Sequence, residues 1–319
     1  MYNDLLFPLL PAYKDYIWGG SNLKTVWGKD SPYDCTAESW EVSAHSGGPS
    51  VVAAGPLKGR TLNEALTPDL LFTETSQFSH CFRGNLPVLI KFIDAAQNLS
   101  VQVHPGDAFA RANENDLGKT EMWYICDAEK DAGIYCGFKR DTDAAEVRDA
   151  VEKNSLQGLL NFIRVKRGES YFIPAGTVHA IGAGITICEI QQNSNVTYRL
   201  YDYGRTGADG RPRPLHVEKG LAVASFTPFS PVLPKVLQSG AVTTRLLASC
   251  PYFTVWEYAC ADGCVPNINP DSYVAINFLE GTGTLCEYPY KKGSSFFVAA
   301  GARRVRVSGR CVFLMTQTI

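Results

Sequence analysis

Apolar residues along the chain fall in short runs, and glycine or proline interrupts them roughly every eight to twelve residues, the spacing of an all-β sandwich or barrel. The runs at 87–95, 99–103, 122–127, 171–173, 185–191, 254–259, 273–280 and 305–315 are rich in Val, Ile, Phe, Tyr and Thr and are predicted as strands. Helical periodicity is confined to three places. Residues 61–71 read as one short helix, capped by Thr61 with Glu64 three residues on. Residues 141–161 carry Ala145, Val147, Val151, Leu156 and Leu159 at mostly helical intervals, with a break near Asn154. Residues 215–224 are the third. Helices grouped between β-rich halves predict insertions on a β-scaffold, not alternating βαβ units. The stretch TPFSPVLPKV, 227–236, is the predicted linker, separating a unit over 1–230 from one over 237–319.

The two units echo one another. In GESYFIPAGTVHAIG, Gly168, Pro174, Gly176 and His179 have the same offsets as Gly293, Ala299, Gly301 and Arg304 in GSSFFVAAGARR, and aromatics precede the turn in both. Two related β-units are the simplest reading, with Arg304 where the first unit has a histidine. Only the N-terminal unit is then expected to hold a metal.

Composition narrows the partners. A hydrophobic fraction of 45% and a charged fraction of 19% describe a soluble globular chain with ample core. The net charge of -2 gives no basic footprint, which speaks against nucleic acid and anionic membrane as partners. The segment MYNDLLFPLLPAYKDYIWGG has no basic region before its apolar run and is broken by Pro8 and Pro11, so it reads neither as a signal peptide nor as a membrane span. The 10 cysteines include no CxxC pair and read as reduced thiols of a cytoplasmic protein, with Cys260 and Cys264 the closest together.

Chemistry concentrates in three stretches. In NLSVQVHPGDAFA, residues two apart share a strand face, so Ser100, Gln102 and His104 point one way and Val101 and Val103 the other. That pattern suits a barrel whose polar face lines a cavity, and a strand facing solvent would look the same. In GKTEMWYI, Glu121 opens a strand with Lys119 close by, and GESYFIPAGTVHAIG supplies His179. Two histidines, a carboxylate and a neighbouring carboxamide make an N/O ligand set that suits zinc first, and also manganese, cobalt or iron. Taken singly, each residue reads as structural; jointly they read as a metal site.

These stretches resemble type I mannose-6-phosphate isomerases (phosphomannose isomerases), in their short bacterial form. The Gly168-to-His179 spacing is similar to the second cupin motif, and YKDYIWGG, AESWEVSAH, LPVLIKFIDA and EIQQNSNVTYRLYDYGR extend the resemblance over nearly the whole chain. Gln102 stands where an ordinary cupin has the first histidine of HxH. The resemblance implies an all-β-dominated fold of two cupin (jelly-roll β-barrel) units with a small helical insertion around 141–161, the first unit catalytic and the second without metal. It implies one Zn²⁺ per chain on His104, Glu121 and His179, with Gln102 a fourth ligand or close neighbour, and Arg199 as active-site arginine. The implied substrate is a small sugar phosphate, mannose 6-phosphate or fructose 6-phosphate, interconverted through an enediol-like intermediate.

Proton transfer between C1 and C2 needs a base or acid within hydrogen-bond reach. Glu189 is a candidate base or a partner of a ligating histidine, and Lys119 a proton-transfer or substrate-orienting group. Arg199 suits either a developing oxyanion or the phosphate. Ser100 and Lys91 are expected to contact substrate, Lys91 being cavity-facing or an edge-strand charge. His45, His80 and His216 read as structural or surface residues, and Trp18, Trp40 and Trp123 as core anchors. An iron-dependent dioxygenase would use a similar facial site, and a sugar-sensing regulator a similar barrel. The specific stretches disfavour the first, and the lack of a helix-turn-helix or basic recognition helix disfavours the second.

Overall fold

The computed structural model describes residues 5–79, 85–206 and 210–319. Strands far outweigh helices, as the punctuated apolar runs predict. Two antiparallel sheets form the first barrel. One orders β10 (Ser170–Ile173), β7 (Glu121–Ala128), β12 (Ile185–Gln192), β5 (Val88–Ala95), β3 (Glu38–Val42) and β2 (Ala12–Lys14). The facing sheet orders β13 (Tyr198–Tyr201), β6 (Val101–Val103), β11 (His179–Ile181), β8 (Gly133–Phe138) and β9 (Leu160–Arg164).

Strand alternation sorts the side chains into layers. Along β12, Ile185 and Ile187 point into the barrel against Ile93, Ile125, Ile134 and Ile181. Cys188 and Ile190 point the other way, onto a core shared with Phe253, Val255 and Tyr273 of the C-terminal half. On the facing sheet, Val101 and Val103 are fully buried beneath a helical layer that includes Val147, Val151 and Leu221. Burying each valine contributes about 1.5–3 kcal/mol, so the helices seal one wall of the barrel and leave its polar face inward.

The helices differ in detail from the sequence reading. The predicted helix over 61–71 is two, α2 (Leu62–Ala65) and α3 (Pro68–Leu71). The Thr61 N–H donates to the Glu64 carboxylate, the bond the capping pattern requires of it, and the Thr61 hydroxyl donates to the same oxygen. Pro68 then holds Thr67 extended at φ -113° and ψ 161°, and the helix cannot continue through it. The insertion holds α5 (Ala144–Glu152), whose N-cap Asp143 accepts the Glu146 N–H, and it breaks at Asn154 with φ 53°. A short 3₁₀ turn, Leu156–Gly158, follows, and the last predicted helical residues already belong to β9. The third helix is α6 (Val217–Val223). Two further helices, α1 (Asn22–Thr25) and α4 (Asp107–Glu114), lie outside the predicted ones.

The C-terminal sheet orders β14 (Lys235–Gln238), β15 (Val242–Ser249), β16 (Thr254–Cys260), β21 (Cys311–Gln317), β17 (Val274–Gly281), β20 (Ser295–Val298), β1 (Leu6–Leu10) and β4 (Val51–Val52), and a hairpin joins β18 (Gly283–Leu285) to β19 (Tyr288–Tyr290). Strand pairing therefore crosses the division expected at 230–237, because β1 pairs with β20, Leu6 opposite Val298. The last predicted strand begins at Cys311 and not at 305; Val305 and Val307 are apolar because they anchor a loop in the second core.

The echo between the two halves is visible in backbone conformation. Gly168, Gly176, Gly293 and Gly301 all have φ between 83° and 89°. Arg304 does not take the histidine's place inside a barrel, however. It is exposed, and Val305 beside it is the buried residue. Among the described residues, no helix is long and apolar enough to cross a membrane.

Candidate active site

Strand register assembles the site. Gln102 of β6 lies directly between Arg199 of β13 and His179 of β11, so these three side chains form a row on the inner face of one sheet. Across the barrel, Glu189 of β12 lies between Trp123 of β7 and Lys91 of β5, and Lys91 is opposite Trp40 of β3. Glu189 thus faces the His179 strand from the opposite sheet, not from beside it. Glu121 opens β7, and His104 follows β6 where the chain leaves the sheet.

The ligand atoms of His104, Glu121 and His179 lie within 4.8 Å of one another, and all three residues are buried. His104 Nε2 is 3.5 Å from Glu121 Oε2, and His179 Nε2 is 3.3 Å from Glu121 Oε1. The other ring nitrogens donate to backbone carbonyls: His104 Nδ1 to Val196 at 2.8 Å and His179 Nδ1 to Thr177 at 2.9 Å. A carbonyl only accepts, so each Nδ1 carries the hydrogen and each Nε2 turns a lone pair toward Glu121. Burial, reinforced by Lys119, lowers His179 to about 4 and His104 well below the usual imidazole range, so both rings are neutral at pH 7. Burial also raises the Glu121 carboxyl to about 7, although Lys119 pulls against it.

These donors fit a divalent cation. Glu121 Oε1 is buried without a hydrogen-bond partner, which is costly for a carboxylate oxygen. A cation held by two imidazole Nε2 atoms and this carboxylate would satisfy it, and the carbonyl bonds at Nδ1 are the orienting contacts that metal-binding histidines use. Gln102 approaches as the sequence suggests, its Nε2 3.4 Å from His179 Nε2. Lys119 Nζ is 3.0 Å from His104 Nε2 and also bonds Glu121 Oε2.

Glu189 sits amid positive charge. Its Oε1 is 3.5 Å from Lys91 and 3.8 Å from Lys119, and its Oε2 accepts the Trp123 indole N–H at 3.0 Å. Burial alone would raise its carboxyl, but the two ammonium groups and the indole hold it below the usual range. Lys91 is cavity-facing. It lies 3.5 Å from Glu38, and its ammonium is 4.9 Å above the Trp40 ring.

A cavity of about 330 Å³ opens over this cluster, a volume suited to a small metabolite. Ser100, Gln102, Lys91, Lys119, Glu189 and Arg199 line it, which brings the predicted catalytic and substrate-contacting residues to one space. His216, read as structural, also lines it, because its Nδ1 accepts the Arg199 N–H at 3.2 Å at the edge of β13. Trp18, Trp40 and Trp123 are all buried as core anchors, and Trp18 reaches the cavity wall as well. His45 stays at the periphery, accepting the Gly47 N–H, and His80 lies outside the described residues. Glu38 and Arg213 complete the charged lining. The signal for Arg213 was the basic run RPRPLH, whose partners lie on β13 and are set by a loop that periodicity does not describe.

Comparison with known proteins agrees with this geometry. Residues 6–141 match the family described as phosphomannose isomerase type I, catalytic domain. Mannose-6-phosphate isomerase ManA of Bacillus subtilis (strain 168) is 38% identical over 306 residues, covering 94% of each chain. A mannose-6-phosphate isomerase of Streptococcus mutans serotype c is 37% identical over 282 residues, covering 87% of each. The crystal structure of the mannose 6-phosphate isomerase from Bacillus subtilis superposes with a TM-score of 0.88 at 32% identity, covering 98% of this chain and 99% of that one. The protein with the buried His104–Glu121–His179 cluster therefore belongs to the type I phosphomannose isomerases, a family of aldose–ketose isomerases.

Proposed function

We propose that the enzyme interconverts D-mannose 6-phosphate and D-fructose 6-phosphate through an enediol-like intermediate, with one zinc ion per chain on His104, Glu121 and His179 and with Gln102 as a fourth ligand or close neighbour. The observation that carries the zinc reading is the pair of Nε2 lone pairs converging on a buried carboxylate whose Oε1 is otherwise orphaned. Bound there, zinc would act as a Lewis acid that stabilises negative charge on the substrate oxygens without redox change.

The chain's own groups supply the rest. Glu189, kept ionised by Lys91 and Lys119, is the proton carrier between C1 and C2. Lys119 donates to substrate oxygen from the same end of the cavity, Ser100 and Lys91 orient the sugar, and Arg199 meets developing or fixed negative charge. The free thiols of all nine described cysteines support the cytoplasmic location expected from the sequence.

Metal removal tests the reading. A sample stripped by chelator and verified metal-free should lose about 100-fold or more of its isomerase activity and regain it with zinc. Full activity in that sample would remove the metal from the mechanism.

A further inference from the structure

Cys260 and Cys264, the two cysteines closest in sequence, meet in the C-terminal half, and neither lines the active-site cavity. Cys260 ends β16 and is buried in the second core. The chain turns through Ala261, Asp262 and Gly263 and brings Cys264 back, so that the Cys260 thiol donates to Cys264 Sγ at 2.9 Å. Cys311, which opens β21, is the register partner of Cys260 and also bonds it, so Cys260 touches two other thiols.

The turn that presents Cys264 is held in place. Cys264 exchanges N–H and C=O bonds with Val307, each at 2.9 Å, and the Gly263 N–H donates to the Gly309 carbonyl at 2.8 Å. Gly263 has φ 70°, and a Cβ there would collide with the Val307 carbonyl oxygen, so the turn lies close against the 307–309 segment because its apex is glycine. A disulfide needs its sulfurs about 2.0 Å apart, and a shift of about 1 Å between the two side chains closes this pair.

The sulfurs differ in access. Cys264 is half-buried and lines a surface cavity of about 370 Å³. Cys260 and Cys311 border a second cavity of about 720 Å³ but are only 3% and 2% exposed. Contact with Cys264 pushes the Cys260 thiol up to about 12, and contact with Cys260 together with burial raises that of Cys311, so both stay protonated at pH 7. Oxidants reach an accessible sulfur before a buried thiol, and an oxidised cysteine beside a second thiol is captured as a disulfide.

We propose that Cys264 and Cys260 are a reversible redox site, in which a hydroperoxide oxidises Cys264 and Cys260 closes a disulfide on it. The hydroperoxide gives its terminal oxygen to Cys264 Sγ, its O–O bond breaks, and an alcohol or water leaves, with Cys264 now a sulfenic acid. Cys260 Sγ then attacks that sulfur. The S–S bond forms, the S–O bond breaks, and the departing oxygen takes the Cys260 proton and leaves as water. Two electrons pass from the two thiols to the peroxide. A small thiol reopens the bond by exchange and is itself oxidised to a disulfide, so in a reducing compartment the oxidised form is transient. Cys311 stays reduced behind the pair.

The test exposes the metal-loaded enzyme to hydrogen peroxide, blocks the remaining thiols with iodoacetamide and maps the products by mass spectrometry. Cleavage before Asp262 separates the two cysteines, so a bond between them shows as two joined peptides. The first cross-link to form should be Cys260–Cys264, with Cys311 alkylated and therefore still a thiol, and dithiothreitol should reverse it. Cys264→Ser should lose this cross-link and leave Cys260 alkylated at the same peroxide dose. Cys260→Ser should accumulate Cys264 sulfenic acid, trapped by dimedone, above the wild-type amount. A first bond between Cys260 and Cys311 would overturn the proposal, as would Cys264 carried on to sulfinic acid while Cys260 remains a thiol. Equal dimedone adducts in the wild type and Cys260→Ser would count against it too. Should Cys260→Ser, altered at a buried position, not fold, Cys264→Ser decides: a Cys260 thiol lost as fast there as in the wild type would overturn the pairing.

Discussion

At the scale of single residues, the site is governed by which charges share a low-dielectric interior. Glu189 is buried, and burial by itself favours its protonated form, yet Lys119 and Lys91 hold the carboxyl below its usual range. A base with a lowered pKa loses function as pH falls through that value. Lys91→Met removes one of the two cations, so the Glu189 pKa rises and the acid limb of the kcat/KM profile should move to higher pH. A limb that stays put, or moves down, would show that Glu189 does not set it. His104, Glu121 and His179 were legible in the sequence because each sits in a recognisable local stretch. Arg213 and the outlook of His216 were not, because both depend on contacts with Arg199 and Asp202 that a loop, and not a strand period, creates. Glu38 was hidden for another reason: it reaches the cavity through the register of β3 on β5, where it lies opposite Ile93.

At the scale of elements, the turn between β10 and β11 fixes where His104 and His179 stand relative to one another. The Gly176 N–H donates to the His104 carbonyl at 2.8 Å, and its carbonyl accepts from Ser225 at 2.7 Å, so one residue ties the two histidine-bearing segments and the end of the helical layer. Its φ of 89° already disfavours a side chain, and a Cβ there would lie 2.9 Å from the Val223 carbonyl oxygen. Gly301, its counterpart in the second half, has φ 87° and nothing within 4 Å of such a Cβ. Gly301→Ala should therefore cost about 1–2 kcal/mol from backbone conformation alone. Gly176→Ala should cost about 1–2 kcal/mol more from crowding, with weakened metal binding as well. Chemical denaturation of the two variants, followed by metal titration, checks both; equal losses would mean that the carbonyl yields. The turn was readable because glycine spacing is local. The split of 61–71 into two helices was missed through reading periodicity past Pro68, and α4 through reading NLSVQVHPGDAFA for its strand face alone.

At the scale of the molecule, the two halves are joined by buried charge as well as by apolar packing. Lys29 reaches Glu41 of β3 at 2.5 Å and the Gly293 carbonyl at 2.6 Å, while Glu41 also accepts from Ser295 of β20 at 2.6 Å. Burial lowers the Lys29 pKa, and Glu41 opposes that shift. Removing one partner of such a pair strands the other, so Glu41→Gln should cost about 3 kcal/mol, and adding Lys29→Met should recover part of the loss. Denaturation of the single and double variants decides it; additive losses would mean that the pair is not coupled. Sequence reading could not show this join, since it links residues more than 250 positions apart.

The pairing of β1 with β20 has a consequence for how the chain is made. Leu6 leaves the ribosome well before its partner Val298, which is added nearly three hundred residues later. At 5–20 residues per second, that is a wait of about 15–60 s. Throughout it, an apolar strand with free N–H and C=O groups must avoid other partners, and one whole sheet lacks its rim. Translation speed and chaperone capture of the nascent β1 segment thus bear on the yield of this protein more than on its final stability.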